Sequence, residues 1–247
     1  MPRAARKRSS TGIYHIVLRG VNRQTIFADA EDNGKFLRIL SDCKKICGFA
    51  LYGYCLMGNH AHILLKEGEE DLGGIFRRVG TRYVHWFNWK HNRCGHLFQD
   101  RFSSEPVEDD GYFVTALRYI HQNPTKAGMC ESIGVYPWSS YNQYMTKTGI
   151  VDTKLAFEII GEKDFAACMT EMQNDKCLED RSGRLRDDEL AEQIESKFNV
   201  KATAVQEEPR ANMEKILREM LKTDGVSTRQ LSRVTGVSAN IIWRLDS

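Results

Sequence analysis

The stretch that decides the fold is Asn59-His60-Ala61-His62-Ile63-Leu64-Leu65. Two histidines flank one small residue, and a short apolar run follows them. This pattern predicts a β-strand, in which residues at i and i+2 point to the same face, so His60 and His62 would lie side by side. Two imidazoles on one face suit a divalent metal if a third ligand comes from elsewhere in the chain. The alternative is an ordinary strand with one buried and one exposed histidine.

A second informative stretch, from Asp110 to Pro124, has the pattern of an amphipathic helix that Pro124 ends. Tyr119 and Asn123 are four residues apart, so they would share one face of this helix. A tyrosine beside an amide, facing two histidines, would combine a nucleophile with a metal site. The alternative is that Tyr119 is an ordinary core aromatic.

These two stretches together resemble a known family. His60-Ala61-His62, followed roughly sixty residues later by Tyr119-Ile-His-Gln-Asn-Pro124, is similar to the single-tyrosine HUH transposases and most closely to their REP-associated branch. The resemblance covers roughly residues 10–145, and four further stretches fit it in order: Tyr14-His-Ile-Val-Leu-Arg-Gly20, Tyr54-Cys-Leu-Met-Gly-Asn-His60, Leu97-Phe-Gln-Asp-Arg-Phe102 and Tyr136-Pro-Trp-Ser-Ser140.

The resemblance implies a role for each residue of the two stretches. It implies metal-dependent cleavage and strand transfer of single-stranded DNA through a 5′-phosphotyrosine, with Tyr119 as the nucleophile. His60, His62 and Asn123 would hold Mg²⁺ or Mn²⁺. The implied partner is a DNA hairpin with a flanking single strand, bound by a monomer or a homodimer. The chain departs from the family pattern twice, because Ala61 is smaller than the usual middle residue and Asn123 stands where other branches have glutamine.

Length and composition bound the class of protein. The chain has 247 residues, 41% of them hydrophobic and 28% charged, which is enough for one medium domain and a small one. It shows neither an apolar run long enough to span a membrane nor a signal-peptide core, so we expect a cytoplasmic protein without membrane contact. Seven cysteines without a C-x-x-C pair favour reduced thiols over a zinc site built from Cys43, Cys47 and Cys55.

Charge is distributed unevenly along the chain. Residues 1–151 carry 20 Lys/Arg and 14 Asp/Glu, residues 152–210 carry 9 and 15, and residues 211–247 carry 6 and 4, which gives net charges of +6, −6 and +2. The basic first segment is where a polyanion would bind. We predict three regions: a catalytic domain over 1–150, an acidic helical connector over 151–210 and a DNA-binding domain over 211–247.

The order of the predicted elements indicates an α+β fold. Strands are expected over 13–18, 49–57, 60–66 and 96–107, with helices over 31–47 and 72–90. The order β-α-β-β-α-β is that of a ferredoxin-like unit, in which helices cover one face of an antiparallel sheet. The helix that carries Tyr119 would be added to this unit and cross toward the histidines. Further helices are expected over 156–172 and 188–198.

Several basic residues near the first and fourth strands are candidates for DNA contact. A short arm carries Arg3, Arg6, Lys7 and Arg8, and a solvated, disordered arm is the equal alternative. Arg19 and Arg23 follow the first strand, where a loop could hold them against a phosphate. Arg101 lies in the predicted fourth strand.

The second helix places arginines among aromatic residues. Arg78 and Arg82 lie on its polar face, and Tyr83 and Trp86 are interleaved with them. This combination suits the binding of single-stranded DNA, with bases stacked on the aromatic rings and phosphates contacted by the arginines. The alternative is that most of these rings belong to the core.

The last segment has the pattern of a helix-turn-helix. Ser227 and Ser238 would cap two helices, and Gly236 would permit the turn between them. Asn240 and Arg244 are the residues of the second helix best suited to base edges, which makes duplex DNA a further partner. The alternative is a helical hairpin that binds no DNA.

Three functions are open at this point. The leading hypothesis is the metal-dependent endonuclease and strand transferase; the alternatives are a non-catalytic DNA-binding regulator and a metallohydrolase that activates water. If the metal hypothesis holds, replacing His60 or His62 by alanine should spare folding, and metal binding should weaken below pH about 6.5 as the histidines protonate. A chain that ends near residue 150 should keep the cleavage chemistry.

Overall fold

The structure is a computed structural model that describes residues 7–171, 177, 187–223 and 226–245. The chain divides into two compact units, residues 1–178 and 179–247. Arg3 and Arg6 of the predicted basic arm lie outside the described residues. The described end of the arm is tied to the first strand, because the backbone N–H of Ser9 donates to Tyr14 Oη at 2.8 Å.

The first unit is built on a four-stranded antiparallel sheet. Its strands lie in the order β2-β3-β1-β4 and are β1 (Ile13–Arg19), β2 (Ala50–Met57), β3 (His60–Lys66) and β4 (Ser103–Val107). The register of the two central strands places Val17 opposite His62 and Arg19 opposite His60. The predicted mixture of helices with an antiparallel sheet is confirmed, and the sheet presents the histidines near its middle.

Two long helices cover one face of the sheet: α1 (Ala30–Cys47) and α2 (Leu72–Lys90). The carboxylate of Asp29 caps α1 by accepting from the backbone N–H of Asp32, and Asp71 caps α2 in the same way. Their apolar stripes pack on Ile16, Ala61 and Ile63 of the sheet. Each fully buried aliphatic or aromatic side chain in this layer contributes about 1.5–3 kcal/mol.

Four helices cover the opposite face: α3 (Asp110–Lys126), α4 (Tyr141–Thr146), α5 (Lys154–Ile160) and α6 (Phe165–Thr170). The prediction that Pro124 ends α3 is wrong, because the helix continues to Lys126. A proline so close to the end removes only one backbone hydrogen bond, so the last turn survives. The single helix predicted over 156–172 is also wrong, since Gly161, at φ 87°, separates α5 from α6.

The predicted fourth strand begins too early. Regular pairing starts at Ser103 rather than near residue 96. The residues before Ser103 form other backbone hydrogen bonds instead. Leu97 O accepts from Val21 N, and Gln99 N donates to Arg19 O, both at 2.9 Å. These bonds brace the single 3-10 turn (Val21–Arg23) that follows β1, which sequence alternation could not reveal.

Gly20 permits this turn, and replacing it gives a first testable prediction. A Cβ at this position would overlap the carbonyl oxygen of Gln24 and lie 2.8 Å from Ile26 Cγ2. Because a backbone carbonyl cannot swing aside, we expect Gly20→Ala to lower the free energy of unfolding by about 1–3 kcal/mol, measured by urea titration. Gly58→Ala is the matched control, since no heavy atom lies within 4 Å of its Cβ position. Equal unfolding midpoints for the two variants would show that the turn is loosely packed.

The second unit is helical, with α7 (Asp187–Phe198), a 3-10 turn (Ala202–Glu207), α8 (Arg210–Leu221), α9 (Thr228–Thr235) and α10 (Ala239–Leu245). The predicted cap of α9 is confirmed, because Ser227 Oγ accepts from the backbone N–H of Gln230 at 3.2 Å. Gly236, at φ 74°, ends this helix in the left-handed conformation. Leu231 and Ile242 pack into a core that belongs to this unit.

The boundary between the two units falls inside the predicted acidic connector. Its first part, α5 and α6, packs against α3 in the first unit, where Phe165 and Met169 are fully buried. Its last part, α7, packs with α9 in the second unit. Among the described residues, no helix combines the length and hydropathy that a membrane crossing would require.

Candidate active site

The strand β3 carries both histidines of the candidate metal site. Alternation along the strand turns Ala61 and Ile63 into the core beneath α1 and α2. His60 and His62 lie together on the other face with ring centroids 4.9 Å apart, so their predicted side-by-side placement is confirmed. His62 is 3% exposed and His60 is half-buried.

The helix α3 brings Tyr119 and Asn123 onto these histidines from the same chain. The Tyr119 ring lies 5.5 Å from the His62 ring, edge to face, and is 8% exposed. Asn123 Nδ2 lies 3.1 Å from His62 Nε2. The helical spacing therefore places both residues on the face that meets the sheet, as the sequence predicts.

His15 is a site residue that sequence reasoning missed. It lies in β1, is fully buried, and places Nε2 at 3.0 Å from His62 Nδ1. Its ring centroid is 6.0 Å from that of Tyr119. Alternation in β1 puts His15 on the face of Arg19, which was a usable signal, but the contact with His62 depends on the register between β1 and β3.

Burial keeps the histidines of the site neutral. It lowers the pKa of His60 to about 4, with a smaller contribution from the Arg19 guanidinium. It holds the pKa of His62 well below the ordinary value of 6.5, with the charges of His15, His60 and Arg19 adding to the effect. The expectation that these histidines would protonate near pH 6.5 is therefore wrong, because it assumed side chains in water.

The buried histidines give a prediction for stability against pH. Burial lowers the pKa of His15 and of His121 to about 3. The unfolded chain then binds more protons below pH 6.5, so the free energy of unfolding falls as pH decreases. From pH 7 to pH 5, we expect each of these two histidines to cost about 2 kcal/mol, measured by urea unfolding. His121→Gln should flatten the slope, because glutamine does not titrate in this range.

His121 follows Tyr119 by two residues but faces away from the site. Its Nε2 lies 2.9 Å from Ser140 Oγ and its Nδ1 lies 3.4 Å from Met169 Sδ. These contacts join α3 to α6 and to the segment that carries Tyr136-Pro-Trp-Ser-Ser140. His121 is therefore a structural residue, as its position along the helix predicts.

The donor atoms of the site suit a divalent cation. Asn59 occupies Nδ1 of His60, and His15 occupies Nδ1 of His62, so Nε2 is the nitrogen of each ring that a metal could use. On His62 this atom contacts Asn123 Nδ2 at 3.1 Å, so metal binding requires the amide to turn its oxygen toward the ion. With the amide oxygen of Asn123, these nitrogens would make a three-ligand set that leaves positions for water and phosphate oxygens.

Other ligand sets are not present in the part of the chain that the structure describes. No group of three or more His, Cys, Asp or Glu side chains is placed to hold a metal ion there. The alternative zinc site at Cys43, Cys47 and Cys55 is therefore wrong, and those thiols are free. A metal at the histidines would need the Asn123 amide as its third protein ligand.

Two cations border the site. Arg19 is the last residue of β1 and lies opposite His60, so it belongs to the strand rather than to the loop after it. Lys126 places Nζ 5.5 Å from the centroid of the Tyr119 ring, a cation–π contact two helical turns beyond the tyrosine. Arg19 therefore places positive charge near the two histidines, and Lys126 places it near Tyr119.

The other predicted DNA contacts of the first unit are spread over two faces. Arg23 lies in the 3-10 turn after β1 with φ 56°, and Arg101 is exposed just before β4. Arg78 and Arg82 lie on α2, which covers the opposite face of the sheet from Tyr119. Arg78 donates to Glu70, while Arg82 is exposed.

The predicted stacking of bases on Tyr83 is wrong. Tyr83 is fully buried and donates its hydroxyl to Ile26 O. Trp86 is half-buried between Lys35 and Lys90, whose Nζ atoms lie 5.7 and 5.2 Å from its ring centroid. The sequence pattern could not show that Tyr83 is buried, because aromatic residues recur on all sides of α2. In the second unit, Asn240 and Arg244 are both exposed on α10.

Comparison with known proteins bears on the same residues. Residues 8–123 match a family described as Transposase IS200 like, a stretch that contains β1, both histidines and Tyr119 and ends at Asn123. Over this stretch, a little under half of its length, the chain is similar to the IS200-like transposases. Its second unit lies outside the stretch that matches this transposase family.

Two curated relatives are REP-associated tyrosine transposases by name. A Haemophilus influenzae protein, provisionally so named, is 28% identical over 107 residues, which cover 38% of this chain and 60% of the relative. An Escherichia coli protein is 22% identical over 99 residues, which cover 38% of this chain and 56% of the relative. The chain thus spans less than two thirds of either relative.

A solved structure shares the fold of part of this chain. It is that of a REP-associated tyrosine transposase bound to a REP hairpin, and it matches with a TM-score of 0.52 at 18% identity. The match covers 60% of this chain and 87% of the other. At this identity the likeness shows the fold alone.

Proposed function

We propose that the protein is a metal-dependent single-stranded DNA endonuclease and strand transferase, a transposase that acts through a 5′-phosphotyrosine. Tyr119 is the nucleophile, and His60, His62 and Asn123 hold Mg²⁺ or Mn²⁺. The observation that carries the proposal is the position of Tyr119, whose ring lies 5.5 Å from that of His62 while Asn123 touches the same histidine. A tyrosine and two histidines in one small site match the needs of phosphoryl transfer to a side chain.

The reaction conserves the phosphodiester bond energy. The phenolic oxygen of Tyr119 forms a bond to phosphorus as the bond from phosphorus to the 3′ oxygen breaks. The phenol loses its proton and the released 3′ oxygen gains one. Another 3′ hydroxyl can then attack the phosphotyrosine and restore a diester, so strand transfer needs no nucleotide cofactor. When bound, the metal supplies charge stabilisation to the phosphate and the leaving oxygen.

The proposed substrate is a DNA hairpin with a flanking single strand. The solved relative binds a REP hairpin, and in this chain Lys126 lies over the Tyr119 ring while Arg19 lies opposite His60. We propose that Arg19 and Lys126 contact the scissile phosphate and that Arg23 and Arg101 contact its neighbours. Arg78 and Arg82 lie on the other layer, so phosphate contacts from them would serve a segment of DNA away from the cut.

A single chain supplies the whole proposed site. Tyr119 lies against the histidines of its own chain, which supports action as a monomer; a homodimer would hold two complete sites. We propose that the first unit is a ferredoxin-like domain with α3 added, because β1 and β3 form the centre of the sheet. We further propose that the enzyme works in the cytoplasm, where its DNA is.

The test is direct trapping of the intermediate. The full chain is incubated with end-labelled hairpin oligonucleotides and Mg²⁺ or Mn²⁺, and a denaturing gel is read for a protein–DNA adduct. The proposal requires an adduct on the 5′ phosphate and a product with a free 3′ hydroxyl. Cleavage without an adduct would instead indicate a metallohydrolase that activates water.

A DNA-binding regulator is the second candidate, favoured by the helix pair of the second unit. Ser227 caps α9, Gly236 permits the turn, and α10 exposes Asn240 and Arg244. We propose that this pair is a helix-turn-helix that contacts duplex DNA through those two residues, in either function. Duplex binding without any cleavage by the full chain would favour the regulator.

Removal of the second unit gives a further prediction. We expect residues 1–178 to retain cleavage but to bind hairpin DNA less tightly than the full chain, because a tethered second site raises the local concentration of substrate. Tighter binding after truncation would show that the acidic helices mask the basic unit.

A shorter truncation gives a prediction for stability. Residues 1–150 should unfold more easily than residues 1–178, by at least about 3 kcal/mol, because they lack the buried Phe165 and Met169. Urea unfolding and filter binding at matched salt measure both effects.

A further inference from the structure

Three polar side chains form a continuous chain from α3 to β1. Asn123 Nδ2 lies 3.1 Å from His62 Nε2, and His62 Nδ1 lies 3.0 Å from His15 Nε2. The far end of the chain, His15 Nδ1, is buried and has no hydrogen-bond partner among the described residues. Both histidines are almost completely shielded from solvent.

The geometry assigns a proton to each link. A hydrogen bond between two ring nitrogens needs one N–H and one lone pair. The Asn123 amide nitrogen can only donate, so His62 Nε2 accepts from it and the ring proton of His62 is on Nδ1. That proton is donated to His15 Nε2, and His15 therefore carries its own proton on Nδ1.

We propose that His15 is a positioning residue that holds His62 in the tautomer whose Nε2 lone pair can bind a divalent cation. A histidine ligand is generally oriented by a hydrogen bond from its other ring nitrogen, and that bond selects the tautomer. In this chain the acceptor is a second imidazole rather than a carboxylate or a backbone carbonyl. The inference rests on the proposed metal site and adds a residue that contacts neither metal nor DNA.

The opposite proton arrangement is the competing state. If the Asn123 amide turned its oxygen toward His62, an Nε2–H would donate to that oxygen and His15 would donate to His62 Nδ1. His62 would then have no lone pair for a metal at Nε2. The two states differ in one measurable property, the position of the ring proton of His62.

Two substitutions separate positioning from mere packing. His15→Leu keeps an apolar side chain in the buried position but removes the acceptor. His15→Gln retains an oxygen that can accept from His62 Nδ1–H. Neither change alters Asn123 or the metal-facing nitrogen of His62, and both remove a ring that packs 6.0 Å from that of Tyr119. The thermal unfolding midpoint of each variant, taken without metal, reports whether it is folded.

The experiment uses the full chain without DNA. Nitrogen-15 NMR of the metal-free wild type should show His62 protonated at Nδ1. Titration with Mn²⁺, followed by electron paramagnetic resonance of the free ion, should show that His15→Leu binds about 10–100-fold more weakly, the usual cost of losing such a partner. His15→Gln should recover most of that loss and keep His62 protonated at Nδ1.

Every other outcome contradicts one part of the proposal. A wild-type His62 protonated at Nε2, or Mn²⁺ affinity unchanged in folded His15→Leu, overturns the role of His15. The wild-type NMR measurement decides the matter even if both variants fail to fold. Failure of wild type to bind Mn²⁺ overturns the metal site and the positioning role together. Expected Mn²⁺ affinities with no DNA adduct overturn only the strand-transfer function.

Discussion

Tyr119→Phe is expected to abolish the covalent protein–DNA adduct and to lower hairpin cleavage by at least about 10³-fold. The substitution removes one oxygen atom and keeps the ring that packs 5.5 Å from His62 and 6.0 Å from His15. Folding and Mn²⁺ binding should therefore remain close to those of the wild type. The measurements are single-turnover cleavage of labelled hairpin DNA and a denaturing gel for the adduct.

Tyr112→Phe is the matched control for this substitution. Tyr112 lies on the same helix and donates its hydroxyl to Glu105, away from the histidines. Its loss should cost only a hydrogen bond, about 0.5–3 kcal/mol in stability, and leave the adduct intact. Cleavage that persists in Tyr119→Phe would favour a mechanism in which water is activated. If the substitution had no effect in any DNA assay, the regulator would be favoured.

His62→Ala is expected to have the second-largest effect. It should remove Mn²⁺ binding detectable in the wild type and lower cleavage by at least about 10²-fold, because the phosphate would lose its charge stabilisation. The same change should also destabilise the first unit by about 1–3 kcal/mol, because it leaves His15 Nε2 buried without its partner. The expectation that alanine would spare folding assumed an exposed face, whereas His62 is buried.

Comparison with other histidine positions separates the metal effect from the folding effect. His60→Ala, at a half-buried position, should lose Mn²⁺ affinity with less change in stability, and Asn123→Ala should lose less affinity than either. His85→Ala, on the exposed side of α2, should leave cleavage and Mn²⁺ binding unchanged. Full cleavage by folded His62→Ala would remove the metal site from the mechanism.

The local patterns of the sequence were sufficient for most elements of the first unit and for the faces on which the candidate site residues lie. Strand alternation places His60 and His62 on one face, and helical spacing places Tyr119 and Asn123 on another. Both periodicities are backbone geometry, so they hold whatever the element packs against. The order of strands and helices along the chain followed from the same periodicities.

The boundaries depended on contacts that no local pattern contains. Pro124 lies inside α3 because it is so close to the end of the helix that it removes only one backbone hydrogen bond. The strand β4 starts at Ser103 because the residues before it form backbone hydrogen bonds with the end of β1 and the turn after it. Tyr83 is a core residue because its side of α2 meets α1 and the segment before α1. For β4 and for Tyr83, a distant segment decided which of two locally acceptable structures forms.

The chemistry of the site was decided by tertiary structure. His15 and His62 are 47 residues apart, and only the register of β1 on β3 brings their nitrogens to 3.0 Å. Burial by α3 and the sheet lowers the pKa of His60 to about 4, whereas the free side chain titrates near 6.5. The sequence by itself determined which residues are candidates for binding metal and for attacking phosphorus. The tertiary structure determined their protonation and their partners, because both depend on what excludes water from them.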